Sequence, residues 1–286
     1  MLPLQHILYP MDFSKRCLAV APFVEAFAKH YGAKVTLFGA VQPLASASME
    51  DPSFYIDPES LRADLQRRLE GTLSGQLAGI SITRVAEAGE PAHRITAYAD
   101  ANHVDLIMMP SHGRGIFRRL LLGSVTAKVL HDAHCPVWTS AHAEELAEHG
   151  HPEPRMIICA VDLSATSAGL IQWAAQLAKD TGASLRLVHA VPGTAAWPER
   201  QFNSELEQAL KEKARKEISA LLSAAGLDFP VCIDAGDVGV VVREEAQGHD
   251  ADLIVIGRGV IHEKLGRLRT HAHAIIRQAP CPVISV

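Results

Sequence analysis

Leu106-Ile-Met-Met-Pro-Ser-His-Gly-Arg-Gly-Ile-Phe-Arg-Arg-Leu-Leu-Leu-Gly-Ser-Val-Thr126 passes from an apolar run through a glycine-bearing turn into the start of a helix. Leu106 to Met109 reads as a buried strand, and Ala127-Lys-Val-Leu130 continues the helix that Gly123-Ser124 opens. A small-residue turn leaving a strand, followed by a helix N-terminus, offers outward-facing N–H groups, no Cβ to block approach, and a positive dipole end. Those are the requirements of a phosphate group. Arg114, Arg118 and Arg119 add local positive charge to the same turn.

Outward from this stretch the chain repeats itself. Gln5-His-Ile-Leu-Tyr-Pro-Met-Asp-Phe-Ser14 matches Arg155-Met-Ile-Ile-Cys-Ala-Val-Asp-Leu-Ser164, so Asp12 pairs with Asp162 and Ser14 with Ser164 at an interval of 150 residues. Tyr31-Gly-Ala-Lys-Val-Thr-Leu-Phe38 matches Thr181-Gly-Ala-Ser-Leu-Arg-Leu-Val188 at the same interval. Val104-Asp-Leu-Ile107 then matches Ala251-Asp-Leu-Ile254 at 147, and Cys135-Pro-Val137 matches Cys281-Pro-Val283 at 146. A tandem duplication follows, with a slightly shorter second copy.

Each copy alternates strand and helix. In the first, strands are predicted at Ile7 to Met11, Lys34 to Val41, Ile80 to Glu87, Leu106 to Met109 and Pro136 to Ser140. Helical periodicity covers Ser14 to Tyr31, closed by Gly32, and Pro91 to Ala101. A long helix from Asp57 or Ser60 to about Ala78 carries Leu61, Leu65, Leu69, Leu73 and Leu77 as a core stripe. The second copy places strands near Ile157 to Val161, Ser184 to Val191, Val231 to Ala235, Leu253 to Ile256 and Val283 to Val286, with a helix over Asn203 to Ala225. Such alternation implies parallel pairing and a doubly wound α/β sheet in each unit. The expected division is 1–143, a linker over 144–154 and 155–286; Ala141 to Pro154 is polar and carries a short helix near Glu144 to Glu148.

Composition narrows the function classes. The 286 residues are 48% hydrophobic and 21% charged, with a net charge of −5, as expected of a globular chain and not of a nucleic-acid binder. No apolar run approaches the ~20 residues of a membrane span, and the N-terminus has no basic region ahead of its first strand. Five cysteines lie scattered, without CxxC or metal spacing, and read as buried thiols of a cytoplasmic protein. The histidine pairs His131/His134, His149/His151 and His271/His273 lack a nearby Cys or carboxylate at zinc spacing and read as solvated.

In open α/β sheets, ligands sit beyond the carboxyl ends of the strands where the strand order reverses. Two loops lie at such ends, Pro10-Met-Asp-Phe-Ser14 and the opening stretch. If their strands are neighbours, Asp12 faces the glycine turn, either as a ligand contact or as a cap for the next helix. Ser124 likewise reads either as phosphate contact or as an ordinary N-cap.

The chain resembles the universal stress protein family, in tandem. Many members of that family bind ATP through Gly, two residues, Gly, nine residues, Gly-Ser/Thr. Here the pattern is Pro110, Ser111-His112, Gly113, Arg114 to Leu122, then Gly123-Ser124. Tyr9-Pro-Met-Asp-Phe-Ser14, Val41 after the second strand and His134-Cys-Pro-Val137 extend the resemblance. It implies two five-stranded flavodoxin-like (Rossmann-like) units packed as a pseudo-twofold dimer through their last strands. Asp12 and the backbone near Val41 would hold adenosine, and Gly113, Gly123, Ser124 and Val125 the phosphates of ATP, with Mg2+ on the triphosphate. Homodimers or other stress proteins are the implied partners. Pro110 departs from the family by lacking an N–H and fixing φ at about −65°.

The second copy departs further. Gly257 stands at the first glycine, but Arg269 falls at the Gly123 position and Thr270 at that of Ser124; Gly259 aligns with Gly113 only through a deletion. Arg269 either fills the phosphate space, the reading preferred on steric grounds, or reaches a ligand as a charge partner. The expectation is a nucleotide-dependent stress-response protein with its site in the first copy. Two other readings suit the same residues: a slow ATPase, for which His112 is the one candidate base in the loop, and a nucleotide-free scaffold. No Ser-His-Asp order, GxSxG or Walker lysine is present.

Overall fold

A computed structural model describes residues 1–42, 57–112, 122–149, 151–193, 203–258 and 267–286. The chain divides into two compact units, in the main Pro3 to Trp138 and Thr139 to Val286.

The first half runs β1 (His6–Pro10), α1 (Lys15–Leu18), α2 (Ala21–Tyr31), β2 (Lys34–Val41), α3 (Pro58–Glu70), β3 (Ile82–Ala88), α4 (Pro91–Ala101), β4 (Leu106–Pro110), α5 (Ser124–Asp132) and β5 (Val137–Ser140). Its strands lie in the order β3-β2-β1-β4-β5. Pairing is parallel, with Ile7 opposite both Val35 and Leu106. Every residue of β1 and β4 is buried, as a strand covered by helices on both faces requires. Tyr9, Phe38 and Trp138 are the largest side chains in that core.

The second half runs α6 (Ala143–His149), β6 (Met156–Ala160), α7 (Ser167–Thr181), β7 (Ser184–Val191), α8 (Asn203–Ala225), β8 (Val231–Ala235), α9 (Val238–Gly248), β9 (Leu253–Ile256), α10 (Arg267–Gln278) and β10 (Val283–Ser285). The order β8-β7-β6-β9-β10 repeats that of the first half. α6 falls within the stretch read as a linker.

The duplication is visible in the backbone itself. Left-handed or otherwise positive φ recurs at matched positions: Phe13 and Leu163, Gly32 and Gly182, Gly79 and Gly226, Gly89 and Gly236, His103 and Asp250. A carboxylate clamp is also repeated. Asp105 accepts from the amides of Gln5 at 2.8 Å and His6 at 2.9 Å, and Asp252 from those of Arg155 at 2.8 Å and Met156 at 3.0 Å. Each carboxylate thereby anchors the entry of its first strand to the start of its fourth.

Two helices differ from the sequence reading. The expected helix over Ser14 to Tyr31 is broken into α1 and α2, because Pro22 sits in the first turn of α2 and no residue can donate from there back into α1. The leucine-striped helix stops at Glu70, not near Ala78. Arg84 on β3 is the reason: its guanidinium donates to Leu69 O at 2.8 Å, Thr72 O at 3.2 Å and Ser74 Oγ at 3.1 Å, taking over carbonyls at the helix end. Val231 occupies the equivalent place in the second half, and there α8 continues unbroken to Ala225, where Gly226 (φ 65°) follows.

Candidate functional site

The strand order reverses between β1 and β4 in the first half, so the loops leaving these neighbours share one edge of the sheet. Asp12 leaves β1 there. Its Oδ1 accepts from the Ser14 amide at 2.9 Å, a turn closed by the left-handed Phe13 (φ 61°). Ser14 in turn caps α1, its Oγ accepting from Cys17 N at 3.1 Å. The half-buried Asp12 carboxylate is therefore held by the backbone of its own loop. Met11 N donates to Phe38 O at 2.7 Å, tying that loop to β2. Beneath it, Tyr9 OH donates to Cys17 O, and Cys17 Sγ lies 3.4 Å from Pro10 O. Burial raises both groups, the Cys17 thiol to about 12, so neither ionises near neutrality.

Val41 ends β2 at the same edge, with its carbonyl accepting from Gly89 N at 2.9 Å. Across the loop from α3, the Arg68 guanidinium lies 3.9 Å from the centre of the Phe13 ring.

The end of β4 and the start of α5 are joined at two successive carbonyls. Gly123 N donates to Ser111 O at 2.8 Å, and Thr126 Oγ1 donates to Pro110 O at 3.1 Å, a buried bond. Gly123 has an ordinary φ of −61°, so its backbone needs no glycine. Space is the constraint: a Cβ there would stand 3.2 Å from Ser111 O and 3.5 Å from His112 Cα. The first intrahelical bond of α5 runs from Ala127 N to Gly123 O at 2.8 Å, which leaves the amides of Ser124, Val125 and Thr126 ahead of it. Among the described residues no side chain caps them, and no acid stands in the first turn. In the same half α1, α3 and α4 are capped by Ser14, Asp57 and Glu90, while α2, with Pro22 in its first turn, has no side-chain cap. Ser111 Oγ and His112 Nδ1 are 2.8 Å apart.

Of the residues expected at the site, Asp12, Val41, Gly123, Ser124 and Val125 fall at this sheet edge or at the N-terminus of α5. Gly113 lies outside the described residues, as do Arg114, Arg118, Arg119 and Gly259. The motif spacing does not point to Ser111 or Thr126. Their signal was available in the internal comparison, since Arg258 and Ala272 stand at the matching positions.

The second half is arranged differently. Asp162 Oδ1 accepts from Ser164 N and from Ser167 Oγ, each at 3.0 Å. Although burial works to raise its pKa, these bonds bring it below the ordinary value. α10 begins at Arg267, so Thr270, the counterpart of Ser124, lies one turn inside the helix and not at its start. Arg258 N donates to Val286 O at 3.1 Å. Among the described residues there is no group of three or more His, Cys, Asp or Glu side chains placed to hold a metal ion, and no helix is long and apolar enough to cross a membrane.

The model of the universal stress protein family matches this chain twice, over residues 3–140 and 154–286. A universal stress protein of Methanocaldococcus jannaschii is 31% identical over 134 residues, covering 46% of this chain and 78% of the relative. A universal stress protein A homolog of Coxiella burnetii is 31% identical over 135 residues, covering 46% of this chain and 94% of the relative. Among solved structures, a universal stress protein from Archaeoglobus fulgidus superposes with a TM-score of 0.68 at 20% identity, covering 99% of this chain and 96% of that one.

Proposed function

The chain belongs to the universal stress protein family as two tandem domains, and from that premise we propose that its first half binds ATP in a cytoplasmic stress-response role. The observation that carries the reading is the start of α5, where among the described residues no side chain caps the amides of Ser124 and Val125. It lies at the sheet edge that also carries Asp12. A triphosphate supplies the missing acceptors and meets the positive end of the helix dipole. Gly123 keeps that approach open by having no Cβ. Asp12 holds the adenosine end together with the backbone near Val41. Gly113 belongs to the same proposed set.

A divalent ion such as Mg2+ accompanies the phosphates and is held chiefly by them, in keeping with the lack of a metal-ligating cluster among the described residues. The second half is a degenerate partner, because α10 starts a turn earlier and Arg269 replaces the glycine. Native mass spectrometry of the purified chain is the direct test. One adenine nucleotide per chain is expected; a nucleotide-free protein that also shows no heat with ATP in calorimetry would overturn the reading, and two equivalent sites would overturn the assignment to one half.

Hydrolysis is a separate matter, and one contact favours asking. His112 Nδ1 is within hydrogen-bonding distance of Ser111 Oγ beside the proposed phosphate position. Incubation with ATP, scored for ADP and AMP against His112→Ala, separates a slow ATPase from a protein that only binds.

A further inference from the structure

The first half has proline where its own duplicate has glycine, and threonine where the duplicate has alanine. Pro110 corresponds to Gly257, and Thr126 to Ala272. These two changes meet in space. Pro110 is buried at the end of β4, and its carbonyl accepts from Thr126 Oγ1 at 3.1 Å. The Thr126 side chain is 3% exposed and lies below the position that a Cβ on Gly123 would take, its Oγ1 being 3.7 Å from that point. A buried carbonyl without a partner is costly, and a proline can offer nothing else to the neighbouring backbone. Ala272 has no hydroxyl, so the second half cannot make the bond.

We propose that Thr126 is the positioning residue for the phosphate end of the site, fixing the first turn of α5 to the end of β4 through the Pro110 carbonyl. The inference rests on the nucleotide reading above and gives it a mechanism. With Gly123 N bound to Ser111 O, the turn is held at two consecutive carbonyls. The Ser124 and Val125 amides are thereby aimed before any ligand arrives. Thr126 itself touches no ligand, since its hydroxyl faces the strand.

The test uses the full chain with Thr126→Val, which keeps the shape and removes the hydroxyl, and Thr126→Ser, which restores it. Titrations with ATP and with adenosine separate the phosphate end from the base end. The valine variant should bind ATP about tenfold more weakly, because the first turn of α5 must then be ordered as the ligand binds, while its adenosine affinity stays that of the parent. The serine variant should recover ATP binding. Unchanged ATP affinity in the valine variant overturns the inference, and so does an equal loss for ATP and adenosine, which is the mark of general damage. If the parent chain binds no adenine nucleotide, the nucleotide reading fails on its own. Amide hydrogen exchange at Gly123 and Ala127, whose amides are bonded to Ser111 O and Gly123 O, then decides the positioning role: faster exchange in the valine variant upholds it and unchanged exchange overturns it.

Discussion

The amide of Gly123 donates to the carbonyl of Ser111 at 2.8 Å, so the glycine in the middle of the motif spends its one donor on the protein. In the proposed site its contribution to a ligand is empty volume, and the donors proposed for a phosphate are those of Ser124 and Val125. This reassigns the chemistry within the motif without moving the site.

Gly123→Ala and Gly123→Arg measure that volume. The alanine Cβ meets Ser111 O at 3.2 Å, closer than ordinary contact, but φ of −61° suits any residue. A several-fold loss of ATP affinity is expected for alanine, with the thermal melt little changed. Arginine, copied from the second half, should abolish binding. Calorimetry beside a melting curve reads both, and a Gly123→Arg protein that still binds ATP would count against the site.

Asp12→Asn retains an oxygen for the Ser14 amide and removes the charge. ATP affinity should fall by about tenfold, the difference between a charge-assisted and a neutral hydrogen bond. Asp162→Asn in the second half should leave ATP binding untouched. Equal effects of the two substitutions would show that both halves, or neither, hold nucleotide.

Arg84→Ala removes the side-chain donor to three acceptors at the end of α3, of which Leu69 O keeps the Thr72 amide. A loss of about 1–3 kcal/mol is expected from urea unfolding. An unchanged midpoint would mean that the helix ends there for another reason.

His6 gives the first half a pH dependence of stability. Its Nδ1 lies 3.1 Å from Asn102 O and its Nε2 2.8 Å from Thr36 Oγ1, and burial holds its pKa below the ordinary 6.5. The folded state therefore favours the neutral ring. Above pH 6.5 both states are neutral and the full stability is present; as pH falls below it, the unfolded chain takes up the proton first and stability declines until the folded pKa is passed. His6→Met, the residue of the second half, should remove that slope while lowering stability at pH 8. Thermal melts between pH 8 and pH 5 decide it, and an unaltered slope would assign the effect elsewhere.

Most of the fold was legible because two independent copies had to give the same answer. The β2 strand Lys34–Val41, the helix α4 over Pro91–Ala101 and all of β7 match their sequence readings residue for residue. What was not legible depends on partners distant in sequence. Nothing in the leucine stripe announces that Arg84 will end α3, because the carbonyls and the guanidinium are brought together only by the β2–β3 pairing. At the proposed site, motif spacing points to Gly123 and Ser124 but does not tell which amides are already engaged. The Thr126 bond is invisible in the sequence for the same reason, since its partners stand 16 residues apart.

Phe13 and Leu163 share a left-handed backbone, at φ 61° and 59°, although only Phe13 stands in the half with the glycine motif. A bend of this kind beside a ligand site invites interpretation as strain stored for function. Its presence in the half that has lost the motif argues against that. The bend belongs to the unit and serves to turn the chain out of its first strand, whatever the loop then does or does not bind. In a duplicated protein the copy without the motif separates geometry required by architecture from geometry that differs between the halves, and by that measure the part peculiar to the first half begins at Pro110.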